Sequence, residues 1–151
     1  GDRIAVHGFC SDTRAAVDYY RLLDPGAAPT DAALGRIAAA RARYSTRLGA
    51  ALRHAGELAQ RMPGERRALI VVTDGAPSDI DVHDPRYLVD DAREAVLALR
   101  RGGLRVQCVA LDGRAEPQLR AMFGYRGYRI VLNAAALPAA LAHGYGRATL
   151  G

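Results

Sequence analysis

Residues 68–72, ALIVV, form an unbroken aliphatic run, and the next comparable run, LRVQCVAL at 104–111, comes only after a helix-length amphipathic segment. A continuous β-branched and aliphatic run suits a strand buried on both faces of a parallel sheet. Parallel neighbours cannot be joined by a tight turn, so the chain between them has to cross over the sheet, most simply as a helix. The intervening residues supply one. Asp84-Pro85 places a cap before proline in the first turn, Leu88, Ala92, Ala95, Val96 and Leu99 trace one face, and Arg100-Arg101-Gly102-Gly103 closes it. Acid at the start and arginine at the end both suit the helix dipole.

The rest of the chain extends this alternation. Residues 3–10 and 16–22 read as two strands with the polar stretch SDTR between them, an antiparallel hairpin. Pro25-Gly26 breaks the chain, and Thr30 caps an alanine-rich helix with Leu34, Ile37 and Ala38 on one face. After the loop RYST a second helix carries Leu48, Leu52, Ala55, Leu58 and Met62 until Pro63-Gly64 stops it. Beyond residue 111 the pattern predicts a short helix at 117–123 ended by Gly124, a strand at 128–132 and a last helix at 137–150, interrupted in composition by Gly144 and Gly146. Strands alternating with helices imply an α/β fold, a doubly wound, mostly parallel sheet with an antiparallel edge hairpin. At 151 residues this is one domain.

Composition narrows the function classes. A hydrophobic content of 50% with 25% charged residues is ordinary for a globular protein, and no apolar run is long enough to span a bilayer. The opening GDRIAVHGF has no export-signal pattern. Cys10 and Cys108 lack any C-x-x-C spacing, so neither a disulfide framework nor a zinc site is suggested, and a reducing cytoplasm is the expected compartment. The net charge of +5 comes entirely from arginines scattered among alanines. Nucleic-acid binding calls for a basic stripe with interleaved aromatics, and that pattern is missing, whereas an acidic protein partner is compatible with the charge.

The stretch LIVVTDGAPSDID, residues 69–81, sets Asp74 directly after a strand and follows it with Asp79 and Asp81. In open parallel sheets ligands bind beyond the carboxyl ends of the strands, where loops converge and helix N-termini point their positive ends. The plainer alternative is that Asp74-Gly75 makes a turn and Asp79 or Asp81 caps the next segment. Spacing alone leaves both readings open.

Two stretches, YSTRLGAALRHA and VVTDG, resemble the von Willebrand factor A (VWA) domain. Its metal-ion-dependent adhesion site draws on three loops at the carboxyl edge of the sheet: an Asp-x-Ser-x-Ser loop, a threonine before a helix, and an aspartate after a buried strand. The resemblance implies Thr46 in the second role and Asp74 in the third, holding Mg²⁺, a hard cation that takes oxygen ligands in octahedral geometry. Within that superfamily TDGAPSDIDVHDPRYLVDDAREAV, with MFGYRGYRIV and LPAAL after it, is similar to the C-terminal VWA domain of the NorD/CbbO family. Members of that family partner a MoxR-type AAA+ ATPase and act on a target enzyme, nitric oxide reductase in one branch and Rubisco in the other. By that likeness Asp79 and Asp81 belong to a partner-binding loop flanking the metal site. The VWA subunit of cobaltochelatase, which also shows a DGAP string, is the competing likeness.

One departure is informative. No Asp-x-Ser-x-Ser occurs, and Ser11-Asp12-Thr13 has the wrong order and follows the wrong strand. The resemblance therefore implies a chain that opens at the second strand of the fold, without the first strand, its metal loop and first helix. That strand would lie between residues 3–10 and 68–72, so its loss would expose two unpaired edges unless those strands close up or another segment fills the gap, and Mg²⁺ binding is expected to be weak. A hydrolase or phosphatase using Asp74 is the enzymatic alternative. It lacks a partnered acid or base: His7, His54, His83 and His143 are scattered, only His83 lies near the acids, and no lysine or glycine-rich phosphate cradle is present. The expectation is a binding module, not an enzyme.

Overall fold

The strands sort into two separate hydrogen-bonded ladders. In the computed structural model, which describes residues 2–13, 16–41, 45–64, 66–79, 82 and 84–150, β1 (Val6–Thr13) and β2 (Ala16–Leu23) pair antiparallel. β3 (Arg67–Thr73), β4 (Leu104–Ala110) and β5 (Tyr128–Ile130) form a parallel sheet in that order. Among the described residues five α-helices complete the α/β architecture: α1 (Asp31–Ala38), α2 (Leu48–Arg61), α3 (Pro85–Arg101), α4 (Glu116–Phe123) and α5 (Leu137–Leu150). Among the described residues no strand pairing joins β1 to β3, so the two ladders do not close up.

The sheet is covered on both faces, and the pleat decides which residue goes where. Leu69, Val71, Leu104, Val106, Cys108 and Ala110 face α2, α3 and α4, where Leu52, Val96, Leu119 and Phe123 fill the larger core. Ile70, Val109 and Leu111 face the other way, onto Leu137, Ala140 and Leu141 of α5. Each large apolar side chain buried in this way contributes roughly 1.5–3 kcal/mol.

α3 forms as its local signals predict. The Asp84 carboxylate accepts from the Arg86 N–H at 2.9 Å, Pro85 opens the helix, and Leu88, Ala92, Ala95, Val96 and Leu99 are all buried. Gly102 caps its end, and Gly103 follows with φ of +83°. α2 lies close against it because Gly49 and Gly56 present no side chain. A Cβ on Gly49 would run into the Asp91 carboxylate, and one on Gly56 into Leu99. Arg53 and Asp91 bridge the same seam as an ion pair.

Several expectations change. The 68–72 run is not buried on both faces: Val71 is buried, but Ala68 is exposed and Val72 is 46% exposed. The reason is position, since among the described residues β3 has a hydrogen-bonded neighbour on one side only, while β4 is central and carries most of the buried strand residues. Asp74 therefore follows an edge strand and Asp112 the central one. In α1 the buried residue is Ala33, whereas Leu34 is 51% exposed. β1 runs past Cys10 to Thr13, β5 stops at Ile130, and α5 continues through Gly144 and Gly146. Gly144 is buried beside Ile70, where a Cβ would only reach van der Waals contact.

Both cysteines are free and buried, and burial pushes the Cys108 thiol up to about 12, so it stays protonated at neutral pH. Among the described residues no helix is long and apolar enough to cross a membrane.

Candidate functional site

Three segments meet at the carboxyl edge of β3: the end of β1, residues 45–47 ahead of α2, and residues 74–79. Ser11 and Ser45 exchange both backbone hydrogen bonds at 2.9 Å, forming an isolated antiparallel bridge. The buried Ser11 hydroxyl also accepts from the Arg47 N–H at 3.2 Å. Arg47 is the N-cap of α2 and its own side chain caps nothing. A hydroxyl from a distant strand thus satisfies one of the amides that a helix start leaves open. Replacing Ser11 by alanine strands that amide, and a loss of about 1–2 kcal/mol is expected in urea denaturation. An unmoved midpoint would show that water serves the amide equally well.

The next contacts tie this segment to the acid-bearing loop. The Thr46 N–H donates to the Ser78 carbonyl at 2.7 Å. The Arg47 guanidinium pairs with the Asp79 carboxylate, whose side chain is fully buried, while that of Arg47 is 14% exposed. Thr46 is therefore held from both sides, through Ser45 to β1 and through Arg47 to the 74–79 loop.

Asp74 leaves β3 in a braced turn. The Thr73 hydroxyl donates to the Gly75 carbonyl at 2.9 Å and accepts from the Gly75 N–H at 3.3 Å. The Thr73 carbonyl accepts from the Leu111 N–H at 2.9 Å, which ties the turn to β4. Asp74 itself is exposed at the rim. Asp112, after β4, is engaged differently: its carboxylate accepts from the Arg114 N–H at 2.8 Å and pairs with the Arg114 side chain, which holds its carboxyl below the usual range. It closes a turn.

Thr46 and Asp74 thus sit on two loops that are hydrogen-bonded to each other. Asp79 lies in the loop beside Asp74, as expected, but its carboxylate turns inward onto Arg47. It braces the loop. Asp81 and His83 lie outside the described residues. The remaining histidines stand elsewhere: His7 Nδ1 bonds the Tyr19 hydroxyl at 2.7 Å, His54 packs edge-on against the Tyr19 ring, and His143 is exposed.

The donor set fits a hard cation in kind, since a threonine hydroxyl and a free carboxylate are the oxygen donors Mg²⁺ takes. It is sparse in number. Among the described residues no group of three or more His, Cys, Asp or Glu side chains gathers around a metal position. Ser11, Ser45 and Arg47 are the members of this rim that motif reading missed. Ser11 lies in a string whose order does not match the metal motif, and no local pattern announces that it meets residues 45 and 47.

The von Willebrand factor type A domain family matches residues 1–139 of the chain. The chain is 40% identical over 131 residues to Protein NorD of Stutzerimonas stutzeri, covering 87% of this chain and 21% of that protein. It is 37% identical over 143 residues to Protein NorD of Brucella melitensis, covering 93% and 22% respectively. An uncharacterized protein of Pseudomonas aeruginosa is 36% identical over 147 residues, covering 97% and 24%. The chain spans between a fifth and a quarter of the length of these relatives. No solved structure gives a significant match.

Proposed function

The chain belongs to the von Willebrand factor type A domain family, and on that premise we propose that it is the protein-binding module of a NorD-like activator. In this reading it works in the cytoplasm with a MoxR-type AAA+ ATPase on a target enzyme, nitric oxide reductase. The names of the relatives favour that branch over Rubisco activation and over a chelatase subunit.

The observation that carries the reading is the joined pair of loops at the carboxyl edge, with Thr46 on one and Asp74 on the other, coupled by the Thr46–Ser78 hydrogen bond. Thr46 and Asp74 would hold Mg²⁺, which supplies, when bound, a positive centre that a carboxylate of the partner can approach. This chain's own residues contribute the oxygen donors and, through Arg47 and Asp79, the rigidity of their loops. The module turns nothing over itself.

The test belongs in the full-length parent. Asp74→Ala and chelation with EDTA should each abolish co-purification of the target enzyme. Retention of the partner by Asp74→Ala would overturn the reading, and phosphate-ester hydrolysis that disappears in the same variant would replace it with a hydrolase. Calorimetric titration of the 151-residue chain with Mg²⁺ should give millimolar affinity, because two protein donors leave most of the six positions of the ion to water. Submicromolar binding would mean that further ligands are in place.

A further inference from the structure

At the opposite edge of the parallel sheet, away from Thr46 and Asp74, lies a cavity of 570 Å³ bordered by the start of β4, the ends of α3 and α5, and residues 124–127. Arg100, Arg105, Arg126 and Arg147 line it, and among the described residues no aspartate or glutamate does. Four like charges around one concavity without a counter-charge repel one another, so the arrangement has to be explained.

Helix ends explain part of it. Arg100 lies in the last turn of α3, where a cation suits the dipole, and its guanidinium donates to the Val106 carbonyl at 2.9 Å. Arg147 lies in the last turn of α5. Arg105 and Arg126 have no such role. Arg105 projects from β4, making one long contact to the Arg147 carbonyl at 3.4 Å, and Arg126 sits on the exposed loop with no ion pair among the described residues. The loop is built to approach Arg100: a Cβ on Gly127 would strike the Phe123 carbonyl and the Arg100 guanidinium, and Gly124 turns the chain at φ of +75°.

We propose that this cavity docks an acidic segment of a partner protein, its carboxylates gripped by Arg105, Arg126 and Arg147. Guanidinium groups bind carboxylates through paired, charge-assisted hydrogen bonds, and convergence on one cavity suits one or two such side chains. Nucleic acid fits less well. It needs a basic track with open aromatic faces, and the one highly exposed ring here, Tyr125 at 75%, already has the Arg120 guanidinium over it at 5.3 Å.

The experiment uses the 151-residue chain and a fluorescein-labelled peptide of alternating glutamate and glycine, read by fluorescence anisotropy. Arg105→Ala, Arg126→Ala and Arg147→Ala combined should weaken binding about tenfold or more, as expected for lost charge-assisted bonds. Arg3→Ala, Arg61→Ala and Arg93→Ala combined remove the same charge from exposed positions elsewhere and should change it by less than about twofold, since distant charges are screened. The single reversal Arg126→Glu, on an exposed loop, should also abolish binding without threatening the fold. EDTA should leave binding unchanged, which separates this surface from the Asp74 rim. Equal losses in the two triple variants, or no binding by the parent chain, would overturn the proposal. So would tighter binding of a single-stranded oligonucleotide, or displacement of the peptide by inorganic phosphate at equal concentration, when either is lost in the cavity variants.

Discussion

Arg47→Met should lower the unfolding free energy by about 1–3 kcal/mol, because it takes a charged hydrogen-bond partner from the fully buried Asp79 carboxylate. Asp79 is fully buried and Arg47 nearly so, so solvent cannot take over as it does for surface pairs. The double variant Arg47→Met, Asp79→Leu removes both charges together and should recover part of that loss, since a packed apolar pair of similar volume is often no worse than a buried ion pair. Urea denaturation of wild type, the two singles and the double closes the cycle. A single-variant loss below about 1 kcal/mol, the range of exposed ion pairs, would mean that Arg47 holds Asp79 no more firmly than an exposed partner would. The same cycle bears on function, since Arg47 adjoins Thr46 and Asp79 belongs to the loop that starts at Asp74.

Phe123→Ala should cost about 3–5 kcal/mol by opening a cavity that its surroundings fill only in part. Phe123 has no exposed surface and packs in the cluster that includes Val96, Leu119 and Met122, where α3, α4 and the sheet meet. Leu34→Ala is the internal contrast. Leu34 is 51% exposed on α1, and its loss should stay within about 0.5 kcal/mol. Comparable midpoint shifts for the two variants would contradict the assignment of the core to the α2, α3 and α4 face of the sheet.

Leu34 also shows where pattern reading ends. A helical period identifies a stripe of apolar residues, but short alanine-rich α1 offers two such stripes, and packing against the hairpin buried Ala33. The same holds for residues 68–72. Their composition suits a doubly covered strand, yet burial depends on how many neighbours a strand acquires, and among the described residues β3 acquires one. Asp79 is the sharpest case at the site. The family likeness implies a loop flanking the metal site for Asp79, and the fold turns its carboxylate inward onto Arg47.

What the sequence determined by itself is local and periodic. The cap at Asp84-Pro85, the apolar face from Leu88 to Leu99 and the glycine stop at Gly102-Gly103 specify α3 because every signal acts within a few residues of where it is written. Alternation of such helices with apolar runs likewise determined the α/β class, since parallel strands require crossovers. Only the tertiary structure decided that Ser11 meets Ser45 and Arg47, that Arg47 neutralises Asp79, and that four arginines share one cavity at the far edge. These contacts join residues from separate elements, and which loops arrive at the same edge is settled by strand order and packing, which no short-range pattern encodes.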